Sequence, residues 1–286
     1  MNEPHEQGML YLCATPIGNL SDITYRVLET LGSVDIIAAE DTRNSIKLLN
    51  HYKIKVPLTS YHEYNKYDKA NELIDKMRGG ANVALITDAG TPSISDPGCV
   101  LTDMCHEAGI KVTSLPGPCA LITALTLSGF DTRRFVFEGF LPPQKKERQR
   151  VLSELTNETR TTVLYEAPHH IVATLNELYD TLGDRGIALC RELTKKFEEV
   201  IRMRLQDMQQ YFEEHEPRGE YVIVLEGRSP EEIQSRKEQD FRETDINDHM
   251  AIYEQQGMDR KEAMKKVAAD RGISKRDVYR MLLEDT

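Results

Sequence analysis

Three short apolar runs in the first half of the chain each break off into a stiff loop of glycine, proline and small residues. "MLYLCA" (9–14) enters Thr15-Pro16-Ile17-Gly18-Asn19, "VALIT" (83–87) enters "TDAGTPSISDPG" (87–98), and "KVTSL" (111–115) enters "SLPGPCA" (114–120). Between the runs lie stretches with helical apolar spacing, "DITYRVLETLG" and "YDKANELIDKMRGG", which stop at Gly32 and at Gly79-Gly80. "DIIAAE" (35–40) reads as a further strand. Strand, loop and helix in alternation predict a mainly parallel sheet with helices on both faces. In such sheets the loops at the carboxyl ends of the strands hold the ligand. Gly90 and Gly98 permit close backbone approach, and Pro92 and Pro97 keep the preceding residues extended. The helix starting near Cys119 offers unpaired N–H groups to a polar ligand. Three loops of one design predict one shared crevice. No G-x-G-x-x-G or G-K-[ST] follows the first strand, so neither a dinucleotide fingerprint nor a Walker loop is present there.

A second series of strands follows at 134–141, 161–167, 186–193, 199–205 and 220–227, with helices expected at 144–156, 169–182 and 206–215. The break between the series falls near Ser128–Arg134, after the apolar helix "CALITALTLSG". The reading is two consecutive α/β domains, 9–130 and 131–228, the second with a mixed sheet, and a cleft between them. Residues 229–286 form a third part. Residues 229–259 hold nine acids and three bases and suit a linker or the first helix of a module, whereas 260–280 hold eight bases and three acids. Within a chain of net charge −11, that reversal marks a local basic surface. "EAMKKVAADRGISKRDVYRML" predicts two short helices around Gly272 in a helix-turn-helix, with Ser274 as the second helix's N-cap. Lys275, Arg276 and Arg280 fall on or near its exposed side, suited to nucleic acid, although a purely structural hairpin fits the same pattern.

Other classes are excluded by composition. No apolar stretch approaches the roughly 20 residues that span a bilayer. The N-terminus lacks the basic-then-apolar pattern of a signal peptide, so a cytoplasmic protein is expected. Five cysteines without C-x-x-C spacing suggest neither a disulfide framework nor a zinc knuckle, and Cys13 and Cys190 sit in apolar runs as buried thiols.

"TPIGNLSDIT", "AEDTR" (39–43), "TDAGTPSISDPG", "LPGPCA", "YEAPHHI" (165–171) and "RELTKKFEE" (191–199) occur in that order. Together they resemble the methyltransferases of the tetrapyrrole-methylase fold. More narrowly, they resemble the branch that methylates the ribose 2′-hydroxyl of a cytidine in the decoding centre of 16S ribosomal RNA. The resemblance spans about residues 9–227. It implies a homodimer whose two domains clasp S-adenosylmethionine, and 16S RNA or the small ribosomal subunit as partner. Carried over by motif, Ile17 and Gly18 approach the donor from the first loop. Gly90, Thr91, Pro92 and Ile94 line it from the second, Cys119 and Ala120 from the third, and Tyr165 and Leu193 close it from the second domain. In tetrapyrrole-modifying relatives the second loop commonly reads Gly-Asp-Pro. Here Thr91 follows Gly90, which departs from that pattern and fits the RNA branch.

A ribose hydroxyl is weakly acidic, so an adjacent base assists its methylation. Candidates at strand ends are Glu40, Asp41 and Glu166, and the selected catalytic set is Asp41, Arg43 and Glu166, with Arg43 holding a phosphate. Asp41 with Thr42 also suits a helix cap, and Glu166 also suits a local ion pair. His169 and His170 lack a supporting ligand cluster, so no metal is expected. Lys145, Lys146 and Arg148 after the sixth strand, and Lys195 near the cleft, are RNA-binding candidates, with a solvated helix face as the plain alternative. Two further readings compete with RNA methylation: methylation of a tetrapyrrole, and a DNA-binding regulator with an α/β effector domain. The basic tail, "AEDTR" and Thr91 oppose the first, the loops oppose the second, and no DNA or membrane partner is expected.

Overall fold

The computed structural model of the protein describes residues 7–284. The first half contains β1 (Met9–Cys13), α1 (Tyr25–Ser33), β2 (Ile36–Ala39), α2 (Thr42–His51) and β3 (Leu58–Ser60). It continues with α3 (Lys66–Arg78), β4 (Val83–Ile86), α4 (Gly98–Glu107), β5 (Lys111–Leu115) and α5 (Ala120–Ser128). Its strands pair in the order β3-β2-β4-β1-β5, and every ladder is parallel. Because helices cover both faces, β4 buries all four of its residues, and its sequence "VALI" shows no polar alternation. Leu10, Val83 and Leu85 pack against Leu73, Met77 and Leu101 of α3 and α4. Ile37, Ala84 and Ile86 face Val27, Leu31 and Leu49 of α1 and α2. Each large apolar side chain so buried contributes about 1.5–3 kcal/mol.

The second half contains β6 (Phe135–Phe140), α6 (Lys145–Leu155), β7 (Thr161–Glu166), α7 (Ile171–Leu182) and β8 (Gly186–Arg191). It ends with β9 (Glu199–Arg204), α8 (Met208–Glu214) and β10 (Tyr221–Leu225). This sheet has the order β6-β7-β10-β8-β9, with β6 and β7 parallel and the other ladders antiparallel. The mixed second sheet matches the sequence expectation.

Two elements differ from it. Strand β3 has only three residues, and so short a run carries no periodicity by which the sequence would announce it. Helix α5 follows the first sheet in the chain but packs on the second. Its Leu121, Ala124 and Leu125 cover Val163, Ala188, Cys190, Val222 and Val224. The second sheet is thus sandwiched, with α6, α7 and α8 contributing Leu152, Leu175 and Met208 to its other face. Gly129 ends α5 in the left-handed region, at φ 70°.

The tail is helical, where its sequence also allows a linker: α9 (Pro230–Glu243), α10 (Ile246–Gln255), α11 (Arg260–Asp270) and α12 (Lys275–Glu284). Helices α10 to α12 share a small core of Met250, Ala263, Val267, Val278 and Leu282. Gly272 makes the turn between α11 and α12 at φ 61°. The Ser274 hydroxyl accepts from the Asp277 N–H at 3.2 Å, the cap expected of it. Among the described residues no helix is long and apolar enough to cross a membrane.

Candidate functional site

The three strand-end loops are fastened to one another. The Thr15 N–H donates to the Gly90 carbonyl at 2.9 Å and the Gly90 N–H returns a bond to the Thr15 carbonyl at 3.0 Å. Thr15 Oγ1 donates to the Thr87 carbonyl at 3.1 Å. Thr91 Oγ1 donates to the Pro118 carbonyl at 3.1 Å, tying the second loop to the third. Gly90 sits at φ 85°, where a side chain is strained. Asp96 stiffens the same loop, accepting from the Gly98 N–H at 2.7 Å and the Ile94 N–H at 3.2 Å.

These loops and the ends of β7, β8 and β10 enclose a cavity of about 470 Å³, within the roughly 300–1,000 Å³ common for small-ligand sites. The apolar part of its wall comes from Ile17, Ile94, Phe140, Tyr165, Leu193 and Val222. The Tyr165 ring meets Phe137 and Phe140 edge-on, with centroids 5.0 and 5.7 Å apart. Its hydroxyl accepts from the Leu121 N–H at the start of α5, at 3.1 Å. Burial pushes that phenol up to about 12, so it stays neutral. The charged part of the wall is strongly one-sided. Glu40, Asp88, Asp96, Glu166, Glu192 and Glu220 line it against a single base, Lys195. Lys195 is itself held by Glu192 at 2.9 Å. A wall of this kind favours a cationic ligand with an apolar or aromatic body.

The lobes meet beside the cavity at Gly18. A Cβ there would stand 2.7 Å from the Leu193 carbonyl oxygen and 2.6 Å from Lys195 Cγ. The strand-end turn that closes in this way is bent, with Glu192 at φ 51° and Thr194 at φ 64°.

Most residues carried over by motif fall on this cavity: Ile17, Gly90, Thr91 and Ile94 from the first two loops, Cys119 and Ala120 from the third, and Tyr165 and Leu193 from the second lobe. Two do not. Pro92 is buried and is absent from the wall. Gly18 faces an adjoining pocket.

The acid–base candidates separate sharply. Asp41 is the N-cap of α2, accepting from the Arg43 N–H at 2.8 Å, and its two oxygens grip the Arg43 guanidinium at 3.1 and 2.7 Å. Hydrogen bonds from the Arg43 side chain, and then from its backbone, hold Asp41 at about 2, too acidic for a proton acceptor at neutral pH. It is also absent from the cavity wall. Asp41 therefore takes the capping role that its sequence context also suits. Arg43 lies outside the wall too, with its side chain 87% exposed beside Asp41.

The preceding residue, Glu40, points into the cavity and accepts from Thr87 Oγ1 at 3.0 Å. Burial raises its pKa, which Asp88 and Asp96 reinforce while the Thr87 hydroxyl opposes. Glu166 also lines the cavity but is only 6% exposed. It accepts from Thr174 Oγ1 at 2.5 Å and from the Ala167 N–H at 2.8 Å.

Among the RNA-binding candidates, Lys145 and Lys146 are exposed at the start of α6. Arg148 is instead engaged inside the second lobe, donating to Glu177 at 2.5 Å and to Thr174 Oγ1 at 2.7 Å. That places it behind Glu166 as a brace and takes it out of the RNA-facing set. On the tail, Lys275 donates to the Lys261 carbonyl at 3.1 Å and Arg280 to Asp277 at 3.1 Å, while Arg276 is exposed. No group of three or more metal-ligating side chains occurs among the described residues. Phe140, Glu220 and Tyr221 line the cavity without having stood out in the sequence, as does Cys190, expected only as a buried thiol. They sit at or beside the ends of second-sheet strands and outside the six motifs quoted above, so only strand alternation toward the cleft would have flagged them.

The family model described as tetrapyrrole (corrin/porphyrin) methylases matches residues 9–209. The chain belongs to this family. It is 46% identical over 278 residues to a Synechocystis protein named ribosomal RNA small subunit methyltransferase I, covering 97% of this chain and 98% of the relative. A Bacillus subtilis protein of the same name is 45% identical, with 97% and 95% covered. Among solved structures, diphthine synthase superposes with a TM-score of 0.62 at 14% identity, covering 78% of this chain and 91% of that one. Uroporphyrin-III-C-methyltransferase from Thermus thermophilus gives 0.54 at 19%, with 76% and 94% covered. At such identities these two structures speak for the shared fold, whereas the Synechocystis and Bacillus relatives place the chain in the ribosomal RNA methyltransferase I branch.

Proposed function

We propose that the protein transfers a methyl group from S-adenosylmethionine to the ribose 2′-hydroxyl of a cytidine in the decoding centre of 16S ribosomal RNA. The observation that carries this reading is the 46% identity, along 97% of the chain, to a relative named ribosomal RNA small subunit methyltransferase I. The cavity fits the donor independently. Its six carboxylates against one lysine suit a cationic ligand, and its aromatic and aliphatic wall suits a nucleoside. Ile17, Gly90, Thr91, Ile94, Cys119, Ala120, Tyr165 and Leu193 are the residues that hold it. When bound, S-adenosylmethionine supplies an electrophilic methyl group on a positively charged sulfur.

The protein's part is to exclude water, orient the acceptor and take its proton. Glu40 is the proton acceptor in this reading. Thr87 Oγ1 fixes its Oε2, and its Oε1 receives the proton from the ribose hydroxyl. Glu166, braced by Thr174 and Arg148, keeps the rim of the second lobe in place. Asp41 holds Arg43 by two of its donors, and the rest of that exposed guanidinium contacts an RNA phosphate. Lys145, Lys146, Lys195 and the tail residues Lys275, Arg276 and Arg280 extend the RNA-facing surface. The reading also includes a cytoplasmic homodimer whose chain divides at 9–130, 131–228 and 229–286.

The test is incubation with methyl-labelled donor and one of four acceptors: unmethylated small ribosomal subunits, naked 16S RNA, a tetrapyrrole, or none. Label on a single cytidine ribose of the RNA is the expected result. Label on the tetrapyrrole alone, or on no acceptor, overturns the assignment.

A further inference from the structure

A second pocket, of about 360 Å³, adjoins the first and shares Thr87 and Asp88 with it. Strand β4 therefore ends in a low wall with one cavity on each side. The far side is lined by Asn44, Lys47 and His51 from α2, three and four residues apart and so on one face of the helix. The Thr15–Leu20 loop forms the opposite side, fastened where Tyr52 Oη donates to the Leu20 carbonyl at 2.5 Å. The pocket is thus built in advance. The first cavity is acidic, but this one carries two groups able to donate to a phosphate, Lys47 and His51. The Lys47 ammonium makes no hydrogen bond or ion pair among the described residues. Asp88 at the floor is only lightly used. It accepts from the Asp41 N–H at 3.3 Å and from Asn44 Nδ2 at 3.4 Å, both near the limit of a hydrogen bond. A carboxylate has about four acceptor sites, so Asp88 keeps capacity for a donor entering the pocket.

We propose that this second pocket seats the acceptor nucleotide of the reaction assigned above: Lys47 and His51 face its flanking phosphate, and Asp88 accepts from the exocyclic amine of its base. The proposal rests on that reading. It makes chemical sense of the arrangement in two ways. A base lifted out of its stack needs a pocket of its own beside the reacting cavity. A carboxylate acceptor favours cytosine, whose 4-position carries an amine, over uracil, whose 4-position carries a carbonyl. The ribose would then lie over the Thr87 wall, on the side where Glu40 is hydrogen-bonded.

The test uses the full-length protein and unmethylated small ribosomal subunits carrying cytidine or uridine at the target position. Wild type, Lys47→Ala and Asp88→Asn are compared. Lys47 is exposed, so its substitution leaves the fold intact. For Lys47→Ala, donor affinity is unchanged, the KM for subunits rises about tenfold, and the slope of log affinity against log salt falls by about 1. For Asp88→Asn, whose amide both accepts and donates, the preference for cytidine over uridine falls about tenfold. An active wild type with both variants matching it in subunit KM, salt slope and base preference overturns the pocket assignment alone. A wild type that binds donor but methylates no RNA overturns the reading beneath it, and the pocket assignment with it.

Discussion

Substituting alanine at Gly18 drives a single methyl group into the seam between the lobes. The new Cβ would lie 2.6 Å from Lys195 Cγ, 2.7 Å from the Leu193 carbonyl oxygen and 3.0 Å from Thr194 Oγ1. The lysine stem swings aside cheaply. The carbonyl does not, because it belongs to a turn with Glu192 and Thr194 already at positive φ. Relief therefore comes from the second lobe backing away from the first loop. Overpacking of this kind costs about 1–3 kcal/mol. Each sheet has its own core, so the penalty falls on closure of the cleft and not on either lobe. At about 1.4 kcal/mol per tenfold, the donor should bind about 5- to 150-fold more weakly. Titration calorimetry with S-adenosylmethionine measures this directly. Gly32→Ala is the control: Gly32 lies within α1 with nothing within 4 Å of its would-be Cβ. That change should leave donor binding alone and add about 0.5–1 kcal/mol of stability. Wild-type donor affinity in Gly18→Ala would refute the closed seam as a determinant of binding.

Glu40→Gln should lower kcat by about 10²–10⁴-fold. A base must be ionised to act, and burial raises the Glu40 pKa. The wild-type rate should accordingly rise with pH through a limb above the usual carboxylate range, and the variant should lack that limb. A pH–rate profile for Glu40→Gln that parallels wild type at equal kcat contradicts the base assignment. In the tail, a buried polar network centres on His249. Its Nδ1 accepts from Arg271 Nε at 3.1 Å, its Nε2 faces Asp270 Oδ2 at 3.3 Å, and Phe241 stacks on it at 4.1 Å. Burial, and then the Arg271 charge, lower the His249 pKa below its ordinary value. Its contribution to stability is thus complete above that ordinary value and lost as pH falls through the lowered one. The protection of α10 and α11 amides, relative to their intrinsic exchange rates at each pH, should fall between about pH 7 and about pH 5. Equal protection at both would show that His249 is not coupled to the module's stability.

The linear chain was enough to specify which loops share one cavity. Apolar runs that end in glycine–proline loops suit parallel strands whose carboxyl ends form a crevice, and Ile17, Gly90, Thr91, Cys119 and Ala120 line one cavity. The tail's turn was equally local, since Gly272 and Ser274 act on their own neighbours. Three matters depended on residues far apart in sequence. Helix α5 is apolar in any reading, but the surface that buries it comes from β7, β8 and β10. Arg148 reads as a free cation beside Lys145 and Lys146 until α7 brings Thr174 and Glu177 against it. Glu40 and Asp41 are adjacent carboxylates, and their roles divide only in three dimensions. One turns inward to Thr87, while the other meets Arg43 at the start of a helix. Propensity and turn chemistry act over a few residues, so the sequence determines them by itself. Burial and charge pairing are set by which surfaces the fold presses together, and the tertiary structure alone decides those.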